Sequence, residues 1–305
     1  MLQKKIIFLL SVFFSVSCLS DTQNKENDKK EDTPTSGSIR IAVDESFVPL
    51  AEQEILAFTN QYANAKIQII VAPEDKAIQL MLQDSVNAVI VSRELNTKER
   101  KEIERQKTVV QSWLQAYDAL ALILHPHHKD TNFSMETLKS IFAGNIKKWS
   151  DIQGSYPDKN ITIILDNANS SNYNLANAKL EIADISKLKI YAAKSQLAVI
   201  EKVKKDSSCI GLVGYNWLSN NNSQTDSLLN KIKIVRINEQ LPSQASFAEK
   251  KYPLTRSCYT LVKGGGIGLA YAFASFFNQE IGQRIVLKAG LLPYKIPPRE
   301  IEIIK

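Results

Sequence analysis

Three short segments carry the side chains best suited to chemistry: Asp44-Glu45-Ser46-Phe47, Ser92-Arg93-Glu94 and Asn169-Ser170-Ser171-Asn172. Each follows an apolar, strand-like run and precedes a helix-like pattern. Hydroxyl and amide groups beside the free N–H groups of a helix start can hold a small anion, and the positive end of the helix dipole favours one. Ser and Asn are also the preferred helix caps, so any one segment is explained by capping alone. Three of them at the carboxyl ends of strands, where α/β sheets bind their ligands, point to a binding site. The remaining candidates are weaker. His125, His127 and His128 are the only histidines and lie in a polar loop before Lys129-Asp130-Thr131-Asn132, with no cysteine or compact carboxylate set beside them. No metal site is assigned there. A Ser-His-Asp or Cys-His hydrolase would have to use this loop, and no nucleophile–base pair is visible, so no catalytic residue is expected. Gly264-Gly265-Gly266-Ile267-Gly268 lacks the Gly-Lys-Ser/Thr ending of a phosphate loop and the spacing of a dinucleotide fingerprint, and no cofactor is expected.

Alternating strands and helices must position these segments. Ile39, Ile41 and Val43 alternate with Ser38, Arg40 and Ala42, a strand pattern, and Pro49 suits the first turn of the helix that follows. Further strands are expected at 67–71, 88–91, 109–114, 119–124, 161–165, 189–192, 210–213, 232–237 and 259–262. Helices are expected between them, with one long terminal helix over 269–288. The charged run Thr97-Lys98-Glu99-Arg100-Lys101-Glu102 reads as a solvated helix capped by Asn96 or Thr97. This order implies an α/β fold of mostly parallel sheets.

The amino terminus reads as an export signal. Lys4 and Lys5 precede an apolar run, Ile6 to Phe14, too short to span a bilayer. Ser15-Val16-Ser17-Cys18 resembles a lipobox, with Ser15 where leucine is usual, and makes Cys18 the expected lipidation site. Residues 18–37 are polar and charged and read as a tether holding the body off a membrane. Cys209 and Cys258 each adjoin an apolar strand; burial as thiols and oxidation outside the cytoplasm both remain open.

The chain has 305 residues, 44% hydrophobic and 23% charged, enough for two domains. The net charge of +6 is mild, and no basic block interleaved with aromatics suggests nucleic-acid binding.

Four stretches are more specific: Leu138 to Asp151 (LKSIFAGNIKKWSD), Ile210 to Gly214, Tyr252 to Arg256 and Gly282 to Gly290 (GQRIVLKAG). On these the chain resembles the phosphate-transporter substrate-binding (PstS-like) family of type II periplasmic binding proteins. The resemblance implies a lipoprotein with two lobes, 38–121 plus 216–305 and 122–215, crossing near Asp118–Leu122 and Val213–Trp217. It further implies a monomer that holds a phosphate-like anion between the lobes and delivers it to an ABC permease. A binder of another small anion, or a surface protein no longer serving transport, are the alternatives. The ligand-binding residues it implies are Ser46, Phe47, Ser92, Arg93, Asn169, Ser170, Ser171 and Asn172. The family's Ser/Gly turn after strand two is replaced by Ala72-Pro73-Glu74-Asp75-Lys76. Its Ser-Asp pair becomes Ser92-Arg93, and Asp166 stands near its arginine. Arg93 cannot accept a hydrogen bond, so it is expected to be the main charge contact to the anion. Glu45 and Asp166 are expected to turn away or to pair with Arg93 or Lys76.

Overall fold

A computed structural model describes residues 32–129, 131–152, 158–182, 187–219 and 229–298. The expected signal segment and Cys18 lie outside them. The described part of the expected tether is already attached to the body: Leu269 N–H donates to the Asp32 carboxylate at 2.8 Å, and the first strand begins at Gly37.

The first sheet grows from β1 (Gly37–Val43), which pairs in parallel with β2 (Ala65–Val71) and β3 (Ala88–Val91). Both faces of β1 are covered. Ile39, Ile41 and Val43 pack in one core with Leu50, Ala51 and Phe58 of α1 (Val48–Gln61). Ala42 packs in another with Ala77, Ile78 and Met81 of α2 (Glu74–Leu82), and with Ile103 of α3 (Thr97–Arg105). Asn96 caps α3 in a reciprocal capping box with Glu99.

The sequence suggests two strands between residues 109 and 124; the structure has one, β4 (Val110–Leu124). Its apolar residues continue without a breaker, so the chain passes from one sheet to the other in extended form. The second sheet contains β6 (Thr162–Leu165), β7 (Ile190–Ala192) and β8 (Cys209–Gly214), with β6 parallel to both others and β8 antiparallel to β4. It is covered by α4 (Met135–Phe142), α5 (Ser171–Leu180) and α6 (Gln196–Lys205). The short β5 (Asn132–Phe133) pairs outside it with β10 (Arg236–Ile237). The chain returns through β11 (Thr255–Lys263), antiparallel to both β3 and β4.

The α/β two-lobed expectation holds, and the sheets are mixed: the crossing and returning strands must run against their neighbours. Two boundaries differ from expectation. β9 (Lys233–Ile234) pairs with β4 in the second sheet. Val235, Ile237, Phe247 and Tyr252 pack with the second-sheet core, as does α7 (Gln244–Ala248) through Phe247. Trp217 and Leu218 pack with Phe47 and Leu50 of the first lobe, the following 233–254 segment packs with the second sheet, and the chain pairs with the first sheet again from Thr255. The expected long terminal helix is two, α8 (Leu269–Phe277) and α9 (Glu280–Lys288). A Cβ on Gly282 would lie 2.4 Å from the Phe277 carbonyl oxygen, so glycine permits the close turn between them. β12 (Leu292–Pro293) closes against β4.

Cys209 and Cys258 are buried free thiols, and among the described residues no metal-binding group occurs. Of the histidines, His128 is buried, with Nε2 2.8 Å from the Ser207 carbonyl oxygen and its ring against Trp149. No described helix is long and apolar enough to cross a membrane.

Candidate functional site between the lobes

Ser46 and Phe47 follow β1 in a tight 3-10 turn that leads into α1. Ser170, Ser171 and Asn172 open α5 on the other lobe. The fold brings these two segments together. Ser46 Oγ lies 3.2 Å from Ser171 Oγ and donates to Asn172 Oδ1 at 3.3 Å. All three side chains are fully or almost fully buried.

Arg256 is the centre of this junction, and the sequence reading missed it. It sits on β11 opposite Asp118 of β4 as a register partner. Its Nε and Nη2 donate to Asp118 Oδ2 at 3.0 and 2.7 Å. Its Nη1 crosses the cleft to Ser171 Oγ at 2.9 Å and Asn172 Oδ1 at 2.8 Å. The guanidinium also stands 4.9 Å from the Phe47 ring centroid, a cation–π contact. Burial raises the Asp118 carboxyl above its ordinary range, and the adjacent guanidinium opposes that shift. Gly214 makes room for the arrangement: a Cβ there would lie 2.8 Å from Arg256 Nη2 and 3.0 Å from Ser46 Cβ. A charged residue inside each of two apolar strands was the available signal, because a buried charge requires a partner.

Around this centre the cleft is rich in carboxylates. A cavity of about 130 Å³ is lined by Asp44, Glu45, Asp166, Asn167, Ser170 and Lys194, among others. Asp166 is buried and accepts from Ser170 Oγ at 2.7 Å and from the side chains of Asn172 and Gln196. Burial, reinforced by the nearby Asp44 charge, raises its pKa to about 6. Glu45 accepts from the Gln196 backbone N–H at 2.9 Å; burial raises it to about 7, against that hydrogen bond and with help from Asp166 and Asp44.

The structure places Arg93, expected as the main charge contact, among carboxylates of its own lobe. Arg93 donates to Glu99 at 2.8 and 3.0 Å and to Asp75 at 3.0 Å, and its Nε lies 3.5 Å from Glu74. Neither Glu45 nor Asp166 pairs with it. Glu74 is almost wholly buried and needs compensation, which the helix-start carboxylates Asp75 and Glu99 then share with it. Ser92 is likewise taken, its N–H and Oγ donating to Glu74 at 2.7 and 2.6 Å. Glu74 also accepts from Asn174 of the second lobe at 3.3 Å. Ser170 Oγ is occupied by Asp166 and by capping Tyr173, and Asn169 is exposed on the turn. Of the expected contacts, Ser46, Phe47, Ser171 and Asn172 stand at the centre of the junction.

Two lobes joined by extended crossings, with a polar junction at strand ends, define a binding-protein architecture. A profile of the PBP superfamily domain matches residues 28–280, and the chain belongs to that periplasmic-binding-protein superfamily. The chain is 26% identical to the phosphate-binding protein PstS of Borreliella burgdorferi, over 96% of this chain and 99% of that protein. Among solved structures, it is similar to a Clostridium perfringens protein assigned to phosphate ABC transport and crystallised with bound phosphate. That likeness has a TM-score of 0.74 at 19% identity and covers 85% of this chain and 100% of the other. An ABC-type phosphate transport receptor from Vibrio cholerae follows with a TM-score of 0.65 at 16% identity, covering 83% and 99%.

Proposed function

We propose that this protein is an extracytoplasmic, lipid-anchored solute-binding component of an ABC importer that binds phosphate or a similar oxyanion between its lobes. The observation that carries the reading is the α5 start. Its Ser171 N–H and hydroxyl, beside Arg256 and facing Ser46 and Phe47, form a buried donor set that already holds a carboxylate, that of Asp44. The named activities of its relatives support the same ligand class. A binding role accounts for the buried junction without a nucleophile or base. A thermal-shift titration of the full chain with phosphate, sulfate and small carboxylates tests the reading. A ligand bound only by the folded form must raise the melting temperature. No rise with any oxyanion at millimolar concentration would refute it. The anchor is tested separately: Cys18→Ala should release the protein from the membrane fraction, and unchanged detergent-phase partitioning would exclude lipidation at Cys18.

A further inference from the structure

Asp44 occupies an unusual position. Its Oδ1 accepts from Ser46 N–H at 3.1 Å, an ordinary turn contact two residues away. The same carboxylate also reaches the other lobe. Oδ1 accepts from Ser171 Oγ at 2.6 Å and Oδ2 from Ser171 N–H at 3.2 Å. A first-lobe carboxylate therefore sits on the first-turn amide and hydroxyl of a ten-residue helix of the second lobe, where a bound anion would take the same donors. Asp44 is fully buried. The surrounding donors are also spent inside the protein. Arg256 serves Asp118, Ser171 and Asn172, Ser46 Oγ serves Asn172, and Gln196 serves Asp166. Among the described residues, no buried side-chain nitrogen or oxygen of this junction is left without a hydrogen-bond partner. The two lobes are thus joined across this surface by the protein's own hydrogen bonds.

We propose that Asp44 is an internal anion: its carboxylate takes the ligand's place on Ser171, clasps the lobes together and must swing out before an oxyanion can bind. The inference rests on the oxyanion-binding reading of the cleft for its second half, while the clasp stands on the interlobe hydrogen bonds alone. With Asp44 in place, an entering oxyanion would find the Ser171 donors taken and would meet its carboxylate together with those of Glu45 and Asp166, with Lys194 the one cation among the described residues of the cavity wall. Asp44 thereby sets both the resting conformation and the threshold for ligand entry.

The test uses the full chain with spin labels at Lys76→Cys and Ala168→Cys, exposed positions on opposite lobes, in the native, Asp44→Asn and Asp44→Ala backgrounds. Without phosphate, the native chain should give one short, narrow interlobe distance, and both variants a longer or broader distribution. Ser171→Ala, which removes the hydroxyl and retains the helix, should loosen the clasp in the same direction and serves if an Asp44 variant does not fold. Inorganic phosphate should then close the Asp44 variants, with a dissociation constant at least tenfold below that of the native chain; Ser171→Ala, which lacks a ligand donor, reports on the clasp only. A native chain that is open without phosphate, or variants as closed as it is, would overturn the clasp. Weaker phosphate binding by Asp44→Asn than by the native chain would overturn the competition and make Asp44 a ligand contact. Variants that open but never respond to phosphate would leave the clasp standing and remove the oxyanion reading instead.

Discussion

Arg256 and Asp118 show how one pair of charges can organise a site between two lobes. Both are nearly free of solvent contact, at 6% and 0% exposure, so neither can be left alone. Arg256→Ala would strand the Asp118 carboxylate, and loss of one partner of such a pair costs about 3–5 kcal/mol. A urea titration should show that loss, and a midpoint unchanged from the native chain would mean the charge is compensated elsewhere. Arg93 makes the opposite case. Its guanidinium pairs with Glu74, Asp75 and Glu99 and makes no contact to the Ser46–Ser171 junction. Arg93→Ala should lower stability by about 1.5–3 kcal/mol, the scale of hydrogen bonds to charged groups. Phosphate affinity, read by calorimetry, should change by less than about threefold. A tenfold weaker affinity with the fold intact would return Arg93 to the binding site. Ser46, Ser171 and Asn172 were legible because each stands just after a strand and opens a helical segment. Arg256 was not, because its role comes from pairing across two strands 138 positions apart, which local pattern does not encode.

At the scale of elements, the alternation in β1 and the Pro49 start of α1 were legible because period and breaker residues act locally. The fusion of two expected strands into β4 and the split at Asn278-Gln279 were not, since sheet pairing and the Gly282 contact decide them. Helix α1 also carries a residue that its apolar face does not explain. Glu54 is fully buried, and neither carboxyl oxygen has a hydrogen-bond partner. Burial alone raises its pKa to about 10. The folded chain therefore keeps the Glu54 proton over a range where the unfolded chain, at its ordinary value near 4.5, has lost it. Folding is unpenalised below that ordinary value, and the cost grows as pH rises toward the folded pKa. Glu54→Leu removes the titration and keeps an apolar side chain of similar reach. Its advantage in unfolding free energy should increase between pH 5 and pH 8 by roughly 2–4 kcal/mol, at 1.36 kcal/mol per pKa unit. Parallel denaturant series at the two values measure the difference, and an advantage independent of pH would show that Glu54 is ionised in the fold.

For the whole molecule, the proposed clasp implies an equilibrium between closed and open lobes, and the cleft carboxylates tie that equilibrium to pH. Glu45 belongs to the first lobe, yet its carboxylate accepts from the Gln196 N–H of the second, so its burial depends on closure. In the closed form, burial raises Glu45 to about 7 and Asp166 to about 6; the Gln196 hydrogen bond opposes the first shift, and the mutual proximity of Asp44, Glu45 and Asp166 adds to it. Opening returns Glu45 to water and toward its ordinary value of 4.5. Closing therefore takes up protons between about pH 4.5 and 7, and by linkage a lower pH favours the closed form. The two-lobe plan itself was legible through the four family-like stretches, but this coupling was not, because it arises from residues 151 positions apart meeting across the cleft. Interlobe distances measured without phosphate at pH 5.5 and pH 8 should show a larger closed fraction at the lower value. Glu45→Gln, which cannot titrate, should flatten most of that dependence while leaving Asp166 to contribute near pH 6. A closed fraction that rises with pH would mean that the carboxylates are ionised and compensated in the closed cleft, and that closure releases protons instead of binding them.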